Sequence, residues 1–174
     1  MTGKTHFIGG LALGFATYHL FNFDTTLVNA VTWYGACGIG ALLPDLDHHH
    51  APISQILFPI SWLIRKKWSH RTATHSILFL IITTLLIVLF TNNLFIIMGI
   101  FTGILSHLLM DMLNPTGVPL FYPFNKKKYR VAKVRTGGNT EPAALLAFCM
   151  VMFILAFPEK VYAFVLSSIE GFLK

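Results

Sequence analysis

The chain has 174 residues, enough for one domain with an enclosed core. Charged residues make up 11% of it, against about a quarter in soluble domains, and the mean hydropathy is +0.66. With so few charges to coat a surface, the composition argues against a soluble helical protein with a thick core and favours an integral membrane protein. The two cysteines lie inside apolar segments, so a disulfide framework is not expected.

Long apolar segments predict an all-α fold, a polytopic membrane bundle of about five transmembrane helices that forms a single domain over residues 1–174. The predicted spans are residues 7–23, 27–43, 77–90, 94–113 and 142–157. The first two are rich in glycine, which lets helices pack closely in a membrane. Residues 51–68 are apolar and close with Arg65-Lys66-Lys67, a pattern that predicts an interfacial helix. Residues 160–174 predict a further short helix, and the sequence leaves open whether it crosses the membrane.

If the spans alternate in direction, the basic residues outside them gather on one side of the membrane. They are Lys4, Arg65, Lys66, Lys67, Arg71, Lys126, Lys127, Lys128, Arg130, Lys133 and Arg135. The positive-inside rule places that side in the cytoplasm. The basic run at residues 126–135 is most simply an anchor of this kind, with attraction of anionic headgroups as a secondary role.

The fourth predicted span closes with His107 and Asp111, which are four residues apart and therefore share one face of the helix. An imidazole and a carboxylate one turn apart can bind the same metal ion, and neither group is cheap to bury alone in an apolar helix. We therefore predict one side of a metal site here. The alternative is a hydrogen bond that holds two helices together within the membrane.

Further histidines and acids stand at the ends of predicted spans on the same cytoplasmic side. Together with His107 and Asp111, the predicted metal ligands are His6, Asp45, Asp47, His48, His70, His75 and Glu141. Imidazoles and carboxylates without thiolates suit zinc, with manganese or iron as alternatives, and their number suits two or three ions. Arg71, between two of the histidines, is placed to pair with a phosphate. His19 has no partner near it in the sequence, and His49 and His50 are expected in solvent, so these three are left out.

Taken jointly, these motifs resemble those of a known family. They are Thr5-His6 before a glycine-rich helix, Pro44-Asp45-Leu46-Asp47-His48, the stretch from His70 to Ser76, Ser106-His107-Leu108-Leu109-Met110-Asp111, and Thr140-Glu141. The pattern is similar to that of the YdjM-type membrane-bound metal-dependent hydrolases, a group that includes LexA-regulated inner-membrane proteins. His49 and His50 depart from it by extending the Asp-His pair into a run. The resemblance implies a bacterial inner-membrane location. Through a distant likeness to zinc-dependent phospholipase C and P1 nuclease, it also implies a similar helical core, a site with several zinc ions and phosphoester hydrolysis.

The expected function is that of a membrane-bound hydrolase that cleaves a phosphoester, in a phospholipid or a lipid-linked phosphate, by metal-activated hydroxide at the cytoplasmic surface. The candidate catalytic residues are Arg71, for phosphate contact, and Asp47 and Glu141, one of them as general base. Expected partners are membrane lipids and an anionic phosphate-containing substrate, and no nucleic acid. Two alternatives remain: a metal-binding or metal-transporting protein without catalysis, and a structural membrane protein whose polar residues bridge helices.

Overall fold

A computed structural model describes residues 1–23, 26–69, 71–160, 164 and 167. Within these ranges the regular structure is helical, apart from one isolated β-bridge between Val118 and Tyr129. The α-helices are α1 (Gly3–Leu20), α2 (Leu27–Gly40), α3 (Pro52–Ile56), α4 (Phe58–Lys67), α5 (Ile77–Phe90), α6 (Leu94–Met112) and α7 (Thr140–Ala156). Two short 3₁₀ helices, Leu43–Asp47 and Ala73–His75, hold residues of the predicted site. The all-α prediction is confirmed.

Four of the longer helices begin at polar side chains that accept a backbone N–H of the first turn. Thr2 caps α1 in this way, Thr26 caps α2, Ser76 caps α5 and Asn93 caps α6. Such caps satisfy N–H groups that have no partner within the helix, which otherwise remain unpaired in an apolar medium. The polar residues between the apolar segments therefore determine where these four helices begin.

The crossing of α2 and α6 forms the centre of the fold, and it depends on glycines that let the two backbones touch. A Cβ atom on Gly40 would lie 2.5 Å from the carbonyl oxygen of Ile100, and one on Gly103 would lie 2.6 Å from the amide nitrogen of Ala41. Small residues at such a crossing replace side-chain packing by direct backbone contact. Because the helices approach so closely, the segment after α2 comes to lie next to the last turns of α6.

The first helix lies against both members of this crossing. The fully buried Trp33 of α2 donates a hydrogen bond from Nε1 to the carbonyl oxygen of Gly14 at 3.0 Å. At the other end of α1, Gly9 faces the side chain of Met110 on α6. These contacts fix the depth of α1, and they bring the first turn of α1 to the end of α6, where His107 and Asp111 lie.

The predicted interfacial segment at residues 51–68 consists of α3 and α4, separated at Leu57. Ser61 is fully buried and donates to the carbonyl oxygen of Leu46 at 2.7 Å, which ties α4 to the first 3₁₀ helix. Phe58 and Leu63 are exposed, and the last turn of α4 carries the three basic residues. An exposed apolar face with a basic end is the pattern of a helix that lies in a membrane surface.

The number of transmembrane helices is a correction to the sequence prediction. In the described ranges, two helical segments are long and apolar enough to span a membrane. One is Leu27–Asp47, with 21 residues, which runs from α2 through the first 3₁₀ helix, and the other is α6, with 19. The apolar helices α5 and α7 have 14 and 17 residues, and α1, with 18, has Lys4, Thr5 and His6 in its first turns. A straight helix needs about 20 mainly apolar residues to cross a bilayer. The structure therefore supports two candidate spans and not about five; residues 160–174 fall almost entirely outside the described ranges.

We expect Gly103→Ala to destabilise the fold by about 1–3 kcal/mol, because the added methyl group would force the backbones of α2 and α6 apart. Gly35→Ala is the matched control, since a Cβ on Gly35 meets nothing within 4 Å. Thermal unfolding in detergent measures both variants. Equal midpoints for the two would contradict the close crossing.

Candidate metal centre

The carboxylate of Asp111 is the centre of a buried polar cluster at the end of α6, and its side chain is 1% exposed. Nitrogen atoms from several elements surround it. Its Oδ1 lies 2.6 Å from the Met1 amino nitrogen and 3.3 Å from His6 Nε2, and its Oδ2 lies 3.2 Å from Arg71 Nε, 3.4 Å from His75 Nε2 and 3.9 Å from His107 Nε2. A buried carboxylate is tolerated only with such compensation. Asp111 therefore draws α1, the segment around Arg71 and His75, and α6 to one point.

His107 presents a lone pair to the cluster. Its Nδ1 lies 2.7 Å from the carbonyl oxygen of Ala41, which can only accept, so Nδ1 carries the proton and Nε2 is left as an acceptor. That Nε2 lies 3.1 Å from His75 Nε2. Two imidazole nitrogens at this distance need a proton or a cation between them. The separation is close to the edge of a tetrahedron with metal–nitrogen bonds of 2.0–2.1 Å, which is roughly 3.3 Å.

His75 is oriented by the residues behind it. The Thr74 hydroxyl lies 3.0 Å from His75 Nδ1 and donates to Asp47 Oδ2 at 2.6 Å, and the same oxygen lies 3.5 Å from His75 Nδ1. Burial alone would lower the pKa of His75, but the hydrogen bonds and charges of Asp111 and Asp47 outweigh it and raise that pKa to about 9. A carboxylate behind a ligating histidine is the usual device for fixing its ring and raising its basicity. Asp47, predicted as a ligand, is thus placed behind His75.

His6 closes the other side of the cluster. Its ring stacks on that of His107, with centroids 3.6 Å apart and planes 13° from parallel. His6 is fully buried, yet neither ring nitrogen makes a hydrogen bond to the residues that the structure describes. Buried polar atoms without partners are costly, and a metal ion would satisfy them. The donor set of imidazole nitrogens and carboxylate oxygens therefore fits a divalent ion such as zinc.

The ligand atoms converge in two groups that share His107. One group is His6, His107 and Asp111, and the other is Asp45, His75 and His107; within each, the ligand atoms lie within 4.8 Å of one another. His107 can bind only one ion, through its Nε2 atom. The two groups therefore suit either a single ion or two adjacent ions, one of which His107 binds. These residues come from α1, the two 3₁₀ helices and α6, which explains why they are scattered along the sequence.

A cavity of about 450 Å³ opens beside the cluster, and Asp45, His48 and Arg71 line it. Asp45 is partly buried and His48 is exposed, so Asp45 is the cluster carboxylate that faces the opening. Arg71 has a φ of 58°, in the left-handed region that is uncommon for a residue with a side chain. Its backbone N–H donates to Asp47 Oδ2 at 2.8 Å, which holds that conformation and directs the guanidinium toward Asp111.

Two predicted ligands, Glu141 and His48, are absent from the ligand groups, and a third falls outside the described residues. Glu141 is buried at the start of α7, where its carboxylate accepts hydrogen bonds from the backbone N–H groups of Thr2 and Gly137. Burial would raise the pKa of Glu141, but the hydrogen bonds from Thr5, Thr2 and Gly137 outweigh it and lower that pKa to about 2. Glu141 is absent from both ligand groups that the described residues form, and so is His48. His70 lies outside the described residues.

Sequence reasoning missed two groups that orient the histidines. Thr74 precedes His75 directly, and a hydroxyl next to a predicted ligand is a signal that could have identified it. The Ala41 carbonyl has no such signal, because any residue provides a backbone oxygen. It becomes available here because α2 ends against α6 and its last carbonyl groups have no partner within the helix.

The sequence of this chain is similar to that of a protein family and of several known proteins. The model of the YdjM inner membrane protein family matches residues 1–168. The chain belongs to the YdjM inner membrane protein family. This match confirms the predicted family and the predicted association with a membrane. The family description names neither a reaction nor a metal.

Two bacterial proteins are similar in sequence to this YdjM-family chain. It is 31% identical to the uncharacterized protein YvsG of Bacillus subtilis over 159 residues, 89% of this chain and 96% of that one. It is 35% identical to the inner membrane protein YdjM of Escherichia coli over 119 residues, 65% of this chain and 59% of that one. No solved structure matches.

We expect the purified YdjM-family chain to retain a divalent metal and Asp111→Asn to lose most of it, because the amide removes the charge on which the cluster is centred. Glu159→Gln, an equal change of charge at an exposed position, is the control. Elemental analysis of protein with unchanged helical circular dichroism makes the comparison. Equal metal content in the two variants would contradict the assignment.

We also expect metal affinity to rise with pH between 6.5 and about 9. The raised pKa of His75 means that its ring is protonated over this range, and an ion must displace that proton. The apparent affinity should approach a tenfold increase per pH unit and level off above pH 9. Competition against a chelator of known pH dependence measures it. A flat profile over this range would show that the ion displaces no proton from His75.

Proposed function

We propose that this YdjM-family chain is a metal-dependent phosphoester hydrolase that acts at the membrane surface. The observation that carries the proposal is the convergence of His75, His107 and Asp111 at one buried point, next to a cavity that Asp45 and Arg71 line. A purely structural polar cluster needs neither a cavity nor a buried imidazole nitrogen without a partner, whereas this cluster adjoins a cavity and His6 Nδ1 makes no hydrogen bond to the described residues. Perturbed ionisable groups beside a cavity are typical of a reactive site.

The ions would be held by His6, Asp45, His75, His107 and Asp111. Zinc suits this donor set, with manganese or iron as alternatives. When bound, such ions lower the pKa of water and stabilise the charge that develops on a phosphoryl group. Because His107 can bind only one ion through Nε2, two adjacent ions would be held with His107 as a ligand of one of them.

Arg71 is the candidate for binding the phosphate group. Its guanidinium contacts Asp111 and the hydroxyl of Thr116, yet the side chain is 16% exposed and borders the cavity. A guanidinium anchored on one edge can offer its remaining N–H groups to a phosphate in a fixed geometry. Arg71 would therefore orient the phosphoester and balance charge on its oxygens.

Asp45 is the candidate for accepting a proton from the attacking water, through the carboxylate oxygen that does not bind an ion. The sequence suggested Asp47 or Glu141 for this role, but Asp47 already accepts hydrogen bonds from Thr74 and from the Arg71 backbone. Both carboxylate oxygens of Glu141 accept backbone hydrogen bonds, and its pKa is about 2, so it is a weak base. Asp45 borders the cavity, within reach of a water that enters with the substrate.

The surroundings favour a substrate that arrives from the bilayer. The 3₁₀ helix with Asp45 packs against α3 and α4, and Ser61 of α4 is hydrogen-bonded to Leu46. The outer face of α4 exposes Phe58, Trp62 and Leu63. If this apolar surface lies in the membrane, the cavity beside it would lie at the depth of the lipid headgroups. The phosphate of a phospholipid or of a lipid-linked phosphate lies at the same depth.

We expect the metal-loaded protein in mixed micelles to hydrolyse one class in a panel of phosphomonoesters, phosphodiesters and phospholipids. Arg71→Lys should lower kcat/KM about a hundredfold without loss of metal, because lysine keeps the charge but not the planar donor set. Arg135→Lys, in an exposed loop, is the matched control and should retain full activity.

Two outcomes would contradict the proposal. Equal activity of Arg71→Lys and Arg135→Lys would remove Arg71 from the phosphate site. If the metal-loaded protein hydrolyses nothing in the panel while Asp111→Asn abolishes ion flux into vesicles, the chain is a metal transporter and not a hydrolase.

A further inference from the structure

We propose that the chain binds one anionic phospholipid beside the metal centre, in a groove for an acyl chain and an adjoining basic pocket for the phosphate headgroup. The proposal concerns binding only. It does not depend on hydrolysis, and it applies equally to a lipid substrate and to a structural lipid that stays bound.

The groove lies between the end of α4 and the first turns of α5, and its volume is about 310 Å³. Its lining is almost entirely apolar, with Ile64, Leu78, Phe79 and Ile82 on its walls. Ile82 is 47% exposed, and the groove therefore opens on the outer side of α5. The remaining outer surface of α5 is also apolar, as expected for a helix that faces lipid. A lipid chain could enter sideways from the bilayer without crossing a polar surface.

The basic pocket lies next to the groove and has a volume of about 360 Å³. Lys67, Lys126 and Lys128 line it, and its described lining includes no carboxylate. Trp68 and Tyr122 line both spaces, so the groove and the pocket adjoin at these two side chains. Amphipathic aromatic residues favour the boundary between hydrocarbon and headgroups, and lysines just beyond it favour anionic lipid.

Charge and shape together indicate a phospholipid as the occupant. A free phosphate would use the lysines and leave the groove unfilled, and an apolar peptide would leave three lysines without counter-charge. An anionic phospholipid satisfies both parts. The groove also backs onto the metal centre, because Thr74 lines its wall and donates its hydroxyl to Asp47.

The experiment measures binding of phosphatidylglycerol with brominated acyl chains to the full chain in detergent micelles, followed by quenching of tryptophan fluorescence. The Trp62→Phe background removes an exposed tryptophan and leaves two, the buried Trp33 and Trp68 at the junction. We expect saturable quenching that Trp68→Phe abolishes. Inorganic phosphate at millimolar concentration should not compete, and brominated phosphatidylcholine should bind at least about tenfold more weakly.

Two matched pairs of variants locate the site. Lys67→Gln/Lys126→Gln/Lys128→Gln should weaken binding at least about tenfold, whereas Lys4→Gln/Lys133→Gln/Lys160→Gln, with the same change of charge at exposed positions outside the pocket, should not. Ile82→Trp fills the groove and should also weaken binding, whereas Ile81→Trp, exposed but not in its lining, should not.

Equal affinity within either pair would overturn the proposal, as would full competition by inorganic phosphate, which would assign the pocket to free phosphate. Equal binding of phosphatidylcholine would remove the role of the lysines. If the chain binds the lipid but hydrolyses nothing in the panel, the proposed enzyme alone is contradicted. If it hydrolyses a substrate but does not bind the lipid in this way, the lipid site alone is contradicted.

Discussion

The functional end of the molecule depends on burying the carboxylate of Asp111. An uncompensated carboxylate at this position would be very costly, and the fold compensates it with nitrogen atoms from α1, from Arg71, from His75 and from His107 on its own helix. These groups come from three parts of the chain: its first residues, the segment around Arg71 and His75, and α6 itself. The charge of one side chain therefore explains why segments that are far apart in sequence meet at one depth.

The helix crossings make this convergence geometrically feasible. Gly40 and Gly103 let α2 and α6 touch, so the carbonyl of Ala41 reaches His107 and Asp45 follows a few residues later. Glu141 fixes the start of α1 close to His6, because its carboxylate accepts a hydrogen bond from the backbone N–H of Thr2. Small residues set the distances between backbones, and buried hydrogen bonds then set the orientation of the imidazoles.

The sequence identified side chains that converge in the fold better than it predicted the role of each. His107 and Asp111 were identifiable because helical periodicity places them on one face, and His6 and His75 because they stand at the ends of apolar segments on the same side. The roles of the carboxylates were harder to predict. Whether Asp47, Asp45 or Glu141 has a free lone pair depends on which N–H and O–H groups fold against it, such as those of Thr74 and Gly137, and no spacing in the sequence encodes this.

The number of spans was overestimated for a related reason. Apolar composition identified α5 and α7, but it did not determine that they have 14 and 17 residues, because helix ends depend on caps and loop contacts. The loop after α6 shows the same effect. Its Val131 and Val134 amides donate to the Met112 and Leu113 carbonyls at the end of α6, which is a tertiary pairing that no local pattern predicts.

The central claim is that His75, His107 and Asp111 hold a divalent ion, and the most direct test is anomalous diffraction from crystals of zinc-loaded protein at the zinc edge. The account predicts a strong anomalous peak between the Nε2 atoms of His75 and His107, about 2.0–2.1 Å from each, with Asp111 as a further ligand. A peak only at the exposed histidines 48–50, or none in the cluster of fully loaded protein, would contradict it.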